Sequence, residues 1–468
     1  MKKAIALIVV FVLAVGIGFG VNFYHENISA ADIEPTPTNN ETVPLLGGDI
    51  YEFCTHYKKG IINDYYTQYA NKYAPKPLSI EWDSVKDATS YAVRLGMKSD
   101  LTDSKKYVVM ENKLDVEDLL AATNYYFQVT TTVDGNMFSS DIIKITTSDL
   151  PRTIYVDSVG NTRDFGGRQT ADKKYRVKQG MIYRGANVDK VSSEGKDKLL
   201  NEYGIKSDMD LRGKSKVSPL GSNVKCISIA AVQYSWGLSM EDNWDTMKKE
   251  VMAFTDINNF PMYMHCAIGR DRTGTLCYLI GALLGMSEQD LCRDYELSFF
   301  ANVSNADIDN PNKFNQSNLY SMVNYLKNYD KGTLQENTME YMRECLGIKQ
   351  TYLNKIRSNL LTPSPKPIPE PTVPRPSKVK LKVVKNVKKK SILVKFKKTT
   401  NAKGYQVWCT KKKKTRIGKI KYTTKLKYKF KKLKKKKKYY IKVRAYNING
   451  HTKVFGPFSK TKKVRIRK

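Results

Sequence analysis

Apolar positions fall into different rhythms along this chain, and each change of rhythm marks a new part. Behind Lys2-Lys3, Ala4 to Val21 is an unbroken apolar run of 18 residues. A charged start, an apolar middle and small residues at Ser29-Ala30-Ala31 predict an export signal or a single-span membrane anchor over residues 1–31. Pro, Thr, Asn and Glu crowd the next stretch, and 32–74 is expected to be a spacer, with a short helix in its Tyr-rich part from Gly47 to Tyr73 and no function assigned to it. From about 75 to 149 the period is two. Leu78-x-Ile80-x-Trp82, Tyr91-x-Val93-x-Leu95 and Tyr125-x-Phe127-x-Val129 predict a small β-sandwich. The same frame returns at the far end of the chain. Trp82, Ala88, Tyr91 and Val93 are spaced like Phe396, Ala402, Tyr405 and Val407, and Trp82 to Leu119 is 37 residues, as is Phe396 to Leu433. Tyr125 then matches Tyr439. A period kept over that distance is an internal repeat.

Between the two copies, 150–361 alternates short apolar runs with amphipathic ones. Strands are expected at Ile205–Arg212, Val224–Ala231 and Phe260–Met264. Helices are expected after Ser192 or Ser193, over Asn243–Thr255, and over Thr275–Leu284. Four further helices close the domain: Ser287–Ser298, Asn312–Tyr329, Leu334–Leu346 and Gln350–Leu361. Strands alternate with helices early and helices dominate late, which predicts an α/β sheet with a helical flank. Residues 362–377 are Pro-dense and read as a stiff, extended linker. The fold class is therefore multidomain: an α/β domain between two β-sandwiches.

Charge changes this picture at one place. The formal net charge is +35, yet 378–468 holds 37 Lys and Arg and no Asp or Glu. The basicity belongs to the C-terminal module, whose lysines often take alternate, outward positions, as in Lys378-x-Lys380-x-Lys382. Such a surface is expected to hold an anionic cell-wall polymer or an acidic lipid surface, with no specific nucleic acid partner. Seven Cys are scattered without a Cys-x-x-Cys pair, and there are only four His. That excludes a disulfide framework and a zinc site of ordinary spacing, and no cofactor is expected. Cys277, Cys292 and Cys345 fall on apolar helical positions and are expected in the core.

The chemistry concentrates in Met264-His265-Cys266-Ala267-Ile268-Gly269-Arg270-Asp271-Arg272-Thr273-Gly274. A strand precedes it and a helix follows. Loop amides without a strand partner, together with a helix start, make an anion site. Gly269 tolerates the positive φ that such a loop often needs. A thiol beside a cationic Arg272 and a helix start has a lowered pKa, so Cys266 is a nucleophile facing a bound anion.

Cys, five residues, Arg, then Thr is the signature of the cysteine-dependent tyrosine phosphatases. Asn161-x-Arg163-Asp164-x-Gly166-Gly167, Tyr183-Arg184, Asp210-Leu211-Arg212 and Asp294-Tyr295-x-x-Ser298 extend the likeness. Residues 150–361 resemble the bacterial tyrosine phosphatases of dual or broad specificity, and both period-two modules resemble fibronectin type III domains. Arg270 departs from the family's usual Lys. The resemblance implies that Cys266 attacks phosphorus and that Arg272 clamps two phosphate oxygens. It also implies that Ala267, Ile268, Gly269, Arg270, Thr273 and Gly274 line the phosphate site, and that Asp271 is the general acid. Asp242 and Asp245 are its rivals for that role. His265, Asp210 and Arg212 are expected to hold the loop, and Arg163 and Asp164 to be fold-forming. A phosphorylated protein is the expected substrate, with a phosphoinositide or inositol phosphate as the alternative served by Arg270. A catalytically idle surface binding protein is the alternative of another class. Export places the protein outside the cell or on its surface.

Overall fold

A computed structural model describes residues 33–58, 62–65, 75–301, 316–327, 332–363, 366, 373–387, 390–413, 418–449 and 452–466. The expected signal or anchor lies outside the described residues. Among the described residues, no helix is long and apolar enough to cross a membrane.

Two sheets enclose the N-terminal core. Pro35–Thr36, Leu78–Trp82 and Lys113–Val116 form one, and the other is built around Tyr91–Gly96 and Asn124–Val133. Alternation does the sorting: Leu78, Ile80, Trp82, Tyr91, Val93, Phe127 and Val129 all point into the space between the sheets. The C-terminal domain repeats this arrangement around Ile392–Phe396, Gly404–Thr410 and Lys438–Asn449. The repeat extends to individual hydrogen bonds. The Tyr91 hydroxyl accepts from the Val85 amide at 2.8 Å, and the Tyr405 hydroxyl from the Thr399 amide at 2.9 Å. Tyr125 accepts from the Leu120 amide at 3.0 Å, and Tyr439 from the Lys434 amide at 2.9 Å.

The middle domain carries a five-stranded sheet in the order Arg163–Asp164, Ile182–Gly185, Met262–His265, Ser207–Asp210, Lys225–Ser228. The first strand is antiparallel to its neighbour and the rest run parallel. Met262–His265 is central and buried along its whole length, as an apolar run flanked on both sides should be. The helix Asp271–Leu284 leaves it directly and is buried from Thr273 onward. It ends where Gly285 takes φ +94°, a left-handed cap that a side chain would resist. Ser192 caps the short helix Ser193–Asp197 by accepting from the Gly195 amide, and Ser287 caps Glu288–Glu296 by accepting from the Asp290 amide. Cys277 and Cys292 are core residues, whereas Cys345 is only half-buried.

Two expectations need correction. Residues 32–74 are not a mere spacer where they are described. Glu41–Val43 adds a parallel strand beside Ile143–Thr147. The helix Gly48–Thr55 buries Ile50, Phe53 and Cys54 in the middle domain's core, with the Phe53 ring 5.1 Å from that of Phe300. The Pro-dense stretch also does not keep the C-terminal domain apart. Lys442 pairs with Glu241 and Arg444 with Glu344, all but Glu241 nearly buried. Both cations come from the strand Lys438–Asn449, so these two inward-facing charges depart from the outward pattern seen at Lys378, Lys380 and Lys382.

Candidate active site

The loop after Met262–His265 is shaped by what its carbonyls do. Ala267 O accepts from the Asn187 side chain at 2.8 Å and its amide at 3.1 Å. Ile268 O accepts from Asn161 Nδ2 at 2.8 Å, and Gly269 O from Arg184 Nη2 at 2.6 Å. In a trans peptide the next N–H points opposite to the carbonyl. Tying three successive carbonyls outward therefore turns the amides of Ile268, Gly269 and Arg270 toward the other side of the loop. Gly269 has φ +71°, and a Cβ there would meet Gly185 O at 2.1 Å. Both the backbone angle and the close approach require glycine.

Beneath the loop lies a buried knot of charge. Asp294 binds Arg163 Nε at 2.8 Å through one oxygen and Arg184 through the other. Burial opposes its ionisation, but the two guanidinium groups hold it below the usual carboxylate range. Arg163 also bonds Asn161 and the Ser298 hydroxyl. Asn161 and Arg184 thus connect the knot to the loop.

Cys266 opens the loop and is 1% exposed. Burial alone would push its thiol up. The Thr273 hydroxyl and amide and the Gly269 amide outweigh burial and the repulsion of Asp271, and hold it below its ordinary value. The Thr273 hydroxyl makes no well-formed hydrogen bond among the described residues, so it remains available to sulfur. His265 is fully buried, with Nε2 in ion-pair contact with Asp208 at 2.9 Å and Nδ1 at 3.0 Å from Cys266 O. Burial disfavours its charge, but Asp208 prevails and its pKa is raised. The second oxygen of Asp208 accepts from Ser218 at 2.7 Å.

Arg212, expected to hold the loop, and Arg272, expected to clamp phosphate, differ sharply. Arg212 is committed: its Nε bonds Asp210 at 2.8 Å and its Nη2 bonds Asp189 at 2.8 Å. Arg272 has no carboxylate partner among the described residues, and reaches only Leu211 O at 3.5 Å. Arg270 lies against Asp271 at 3.2 Å and over the Phe299 ring at 5.1 Å. Asp271 Oδ1 gathers Arg270, the Tyr234 hydroxyl and the Tyr295 hydroxyl, the last at 3.3 Å. Asp242 lies in the turn Glu241–Asn243 and Asp245 in the first turn of Trp244–Met252. Thr273 and Gly274 begin the helix, with the Gly274 amide on Arg270 O at 2.8 Å.

The loop, its scaffold and the sheet lie in the segment that matches a known family. Residues 154–362 match the tyrosine phosphatase family model. This part of the chain is a tyrosine phosphatase family domain. The match supports a phosphatase enzyme. A Cupriavidus necator protein bearing the name "Putative tyrosine-protein phosphatase" is 26% identical over 168 residues, 30% of this chain. The chain spans 60% of that relative's length. Among solved structures, the core catalytic domain of the PP-IP phosphatase SIW14 from S. cerevisiae is 17% identical. That match covers 31% of this chain and 91% of its own, with a TM-score of 0.20. The structure titled FN3tt mut is 20% identical over 20% of this chain and 98% of its own, with a TM-score of 0.17. Scores this low carry no argument about the flanking domains.

Several residues that build the phosphatase domain's loop had no role assigned from sequence: Asn161, Arg184, Asn187, Asp208, Tyr234, Asp294 and Tyr295. For Asn161, Arg184, Asp294 and Tyr295 a signal existed, since all four sit in the segments that carried the family resemblance.

Proposed function

We propose that this protein is an exported phosphatase that hydrolyses phosphotyrosine or related monoesters through a cysteinyl-phosphate. The observation that carries this reading is the Cys266 thiol, buried yet held below its ordinary pKa, in a loop whose carbonyls are tied away from it. Six residues further on, Arg272 has no carboxylate of its own among the described residues. The thiolate attacks phosphorus in line as the bond to the leaving oxygen breaks. Arg272 and the loop amides take up charge on the phosphate oxygens. Asp271 gives the leaving oxygen its proton. Its Oδ1 is occupied by three donors, so Oδ2 is the atom that carries the proton. Water then attacks phosphorus as the bond to the Cys266 sulfur breaks, Asp271 takes a proton from that water, and phosphate leaves with the thiolate restored.

The position of Arg270 favours a phosphotyrosine-like substrate over an inositol phosphate. Its charge is already shared between Asp271 and the face of Phe299, which leaves less for additional phosphates. The apolar run at 4–21 supports export, and the exposed lysines of 378–468 support tethering to an anionic wall polymer or acidic lipid.

The test of the catalytic reading is hydrolysis of para-nitrophenyl phosphate by the whole chain in the presence of a chelator. Turnover that vanadate blocks is expected. Absence of turnover in well-folded protein would return the idle binding protein as the better reading.

A further inference from the structure

The helix Asp271–Leu284 has a second end, and it opens on a cavity of about 640 Å³, within the range of small-molecule sites. Fourteen residues of helix separate it from the loop, about 20 Å at the usual rise. This space is therefore distinct from the phosphate site. Its walls come from the Thr170–Tyr175 turn, the helix end at Leu284 to Met286, and the helices Leu334–Glu344 and Gln350–Leu360. Tyr175, Leu284, Met286, Leu334 and Met339 make much of the lining apolar.

Among the polar groups of this lining, one stands out. Arg357 is 6% exposed, and its Nε and Nη1 have no hydrogen-bond acceptor among the described residues. Buried cations are ordinarily paired, because an unpaired one gives up its hydration for nothing. Burial pushes the guanidinium below its ordinary pKa, and Tyr175 and Asp172 offset this only in part. The other lining cation, Arg343, is bonded to Glu340. The lining carboxylates are engaged elsewhere. Asp172 accepts from the Thr170 hydroxyl at 2.6 Å and the Lys174 amide at 3.1 Å. Glu336 accepts from the Thr333 amide at 2.8 Å in its helix cap, and Glu288 pairs with Lys327 at 2.8 Å.

We propose that this cavity binds a small organic anion, with its carboxylate or phosphate end on Arg357 and its apolar body against Leu334 and Met339. A planar guanidinium suits either head group, and the apolar walls require a hydrocarbon portion that inorganic phosphate lacks. The proposal does not rest on the catalytic reading.

The test is calorimetric titration of the whole chain with hexanoate and, separately, with phenylphosphonate. Saturable binding of at least one is expected, with Arg357→Gln weakening it about 10- to 100-fold, the size of a lost charged hydrogen bond. Any binding at the Cys266 loop is common to both proteins and cancels in the comparison. The stronger of the two probes identifies the head group. Leu334→Trp fills the cavity while leaving Arg357 in place, and should weaken binding as well. Failure of both probes to bind, or equal binding by wild type and Arg357→Gln, overturns the proposal. Should Arg357→Gln not fold, undiminished binding by Leu334→Trp overturns it.

Discussion

Cys266 and Cys277 belong to one loop-helix unit, and each is 1% exposed. Their acidities nevertheless diverge. Burial pushes the Cys277 thiol up to about 12 against the weaker pull of Arg184, whereas Cys266 stays below its ordinary value. Burial is thus common to both and cannot be the cause of the difference. The donors decide it: Thr273 and Gly269 face Cys266, and the interior of a helix has no free amides to offer Cys277. A reactive cysteine is made by the hydrogen-bond donors that surround it, and exposure is a poor guide.

Replacing the two thiols is the bluntest way to break this comparison. Cys266→Ser should lower para-nitrophenyl phosphate turnover at least about 1000-fold while the circular dichroism spectrum stays unchanged. Arg272→Lys comes next. An ammonium cannot make the two-pronged contact, and a loss of about 100-fold in kcat/KM is expected. Asp271→Asn should slow an alkyl phosphate about 10- to 100-fold but an activated aryl phosphate only a few-fold. Equal losses on both would show that Asp271 supports the loop and does not move a proton. Thr273→Ala removes one of the donors that separate the two thiols. The midpoint of the pH profile for iodoacetamide alkylation of Cys266 should rise by about one unit. In wild type, alkylation near neutral pH should fall on Cys266 and spare Cys277. The smallest effect is expected from Cys277→Ala, with activity within about two-fold of wild type and stability lowered by about 1–2 kcal/mol, read from urea unfolding.

How much of this could be read from the chain depended on distance along it. Cys266, Arg272 and Gly269 are legible because one turn of backbone brings them together, and their spacing is itself the geometry. The loop's anchors are not, since Asn161 and Arg184 reach Ile268 and Gly269 across 107 and 85 residues. No local rhythm encodes such a contact. Arg212 shows the opposite difficulty. Its place in Asp210-Leu211-Arg212 made it a loop support, and the structure spends its guanidinium on Asp189 as well, a residue that carried no motif. The packing of the helix Gly48–Thr55 into the middle domain was not foreseen, for a related reason. The helix is short and sits among polar, Pro-rich stretches, and only a partner as distant as Phe300 makes its apolar face meaningful. The sandwiches were easier, because period two is local and the repeated spacing from Trp82 and Phe396 reinforced it.

The early position of that helix has a consequence for the timing of synthesis. Cys54 O accepts from Arg293 Nη1 at 3.0 Å across 239 residues. At a ribosomal pace of about 5–20 residues per second, roughly 12–50 seconds pass between the appearance of the two. Throughout that interval Ile50 and Phe53 have been made and their core has not. The nascent chain must carry an unsatisfied apolar segment until the middle domain is nearly finished. Whatever escorts the chain during translation, whether a chaperone or an export factor, meets this helix before the middle domain exists.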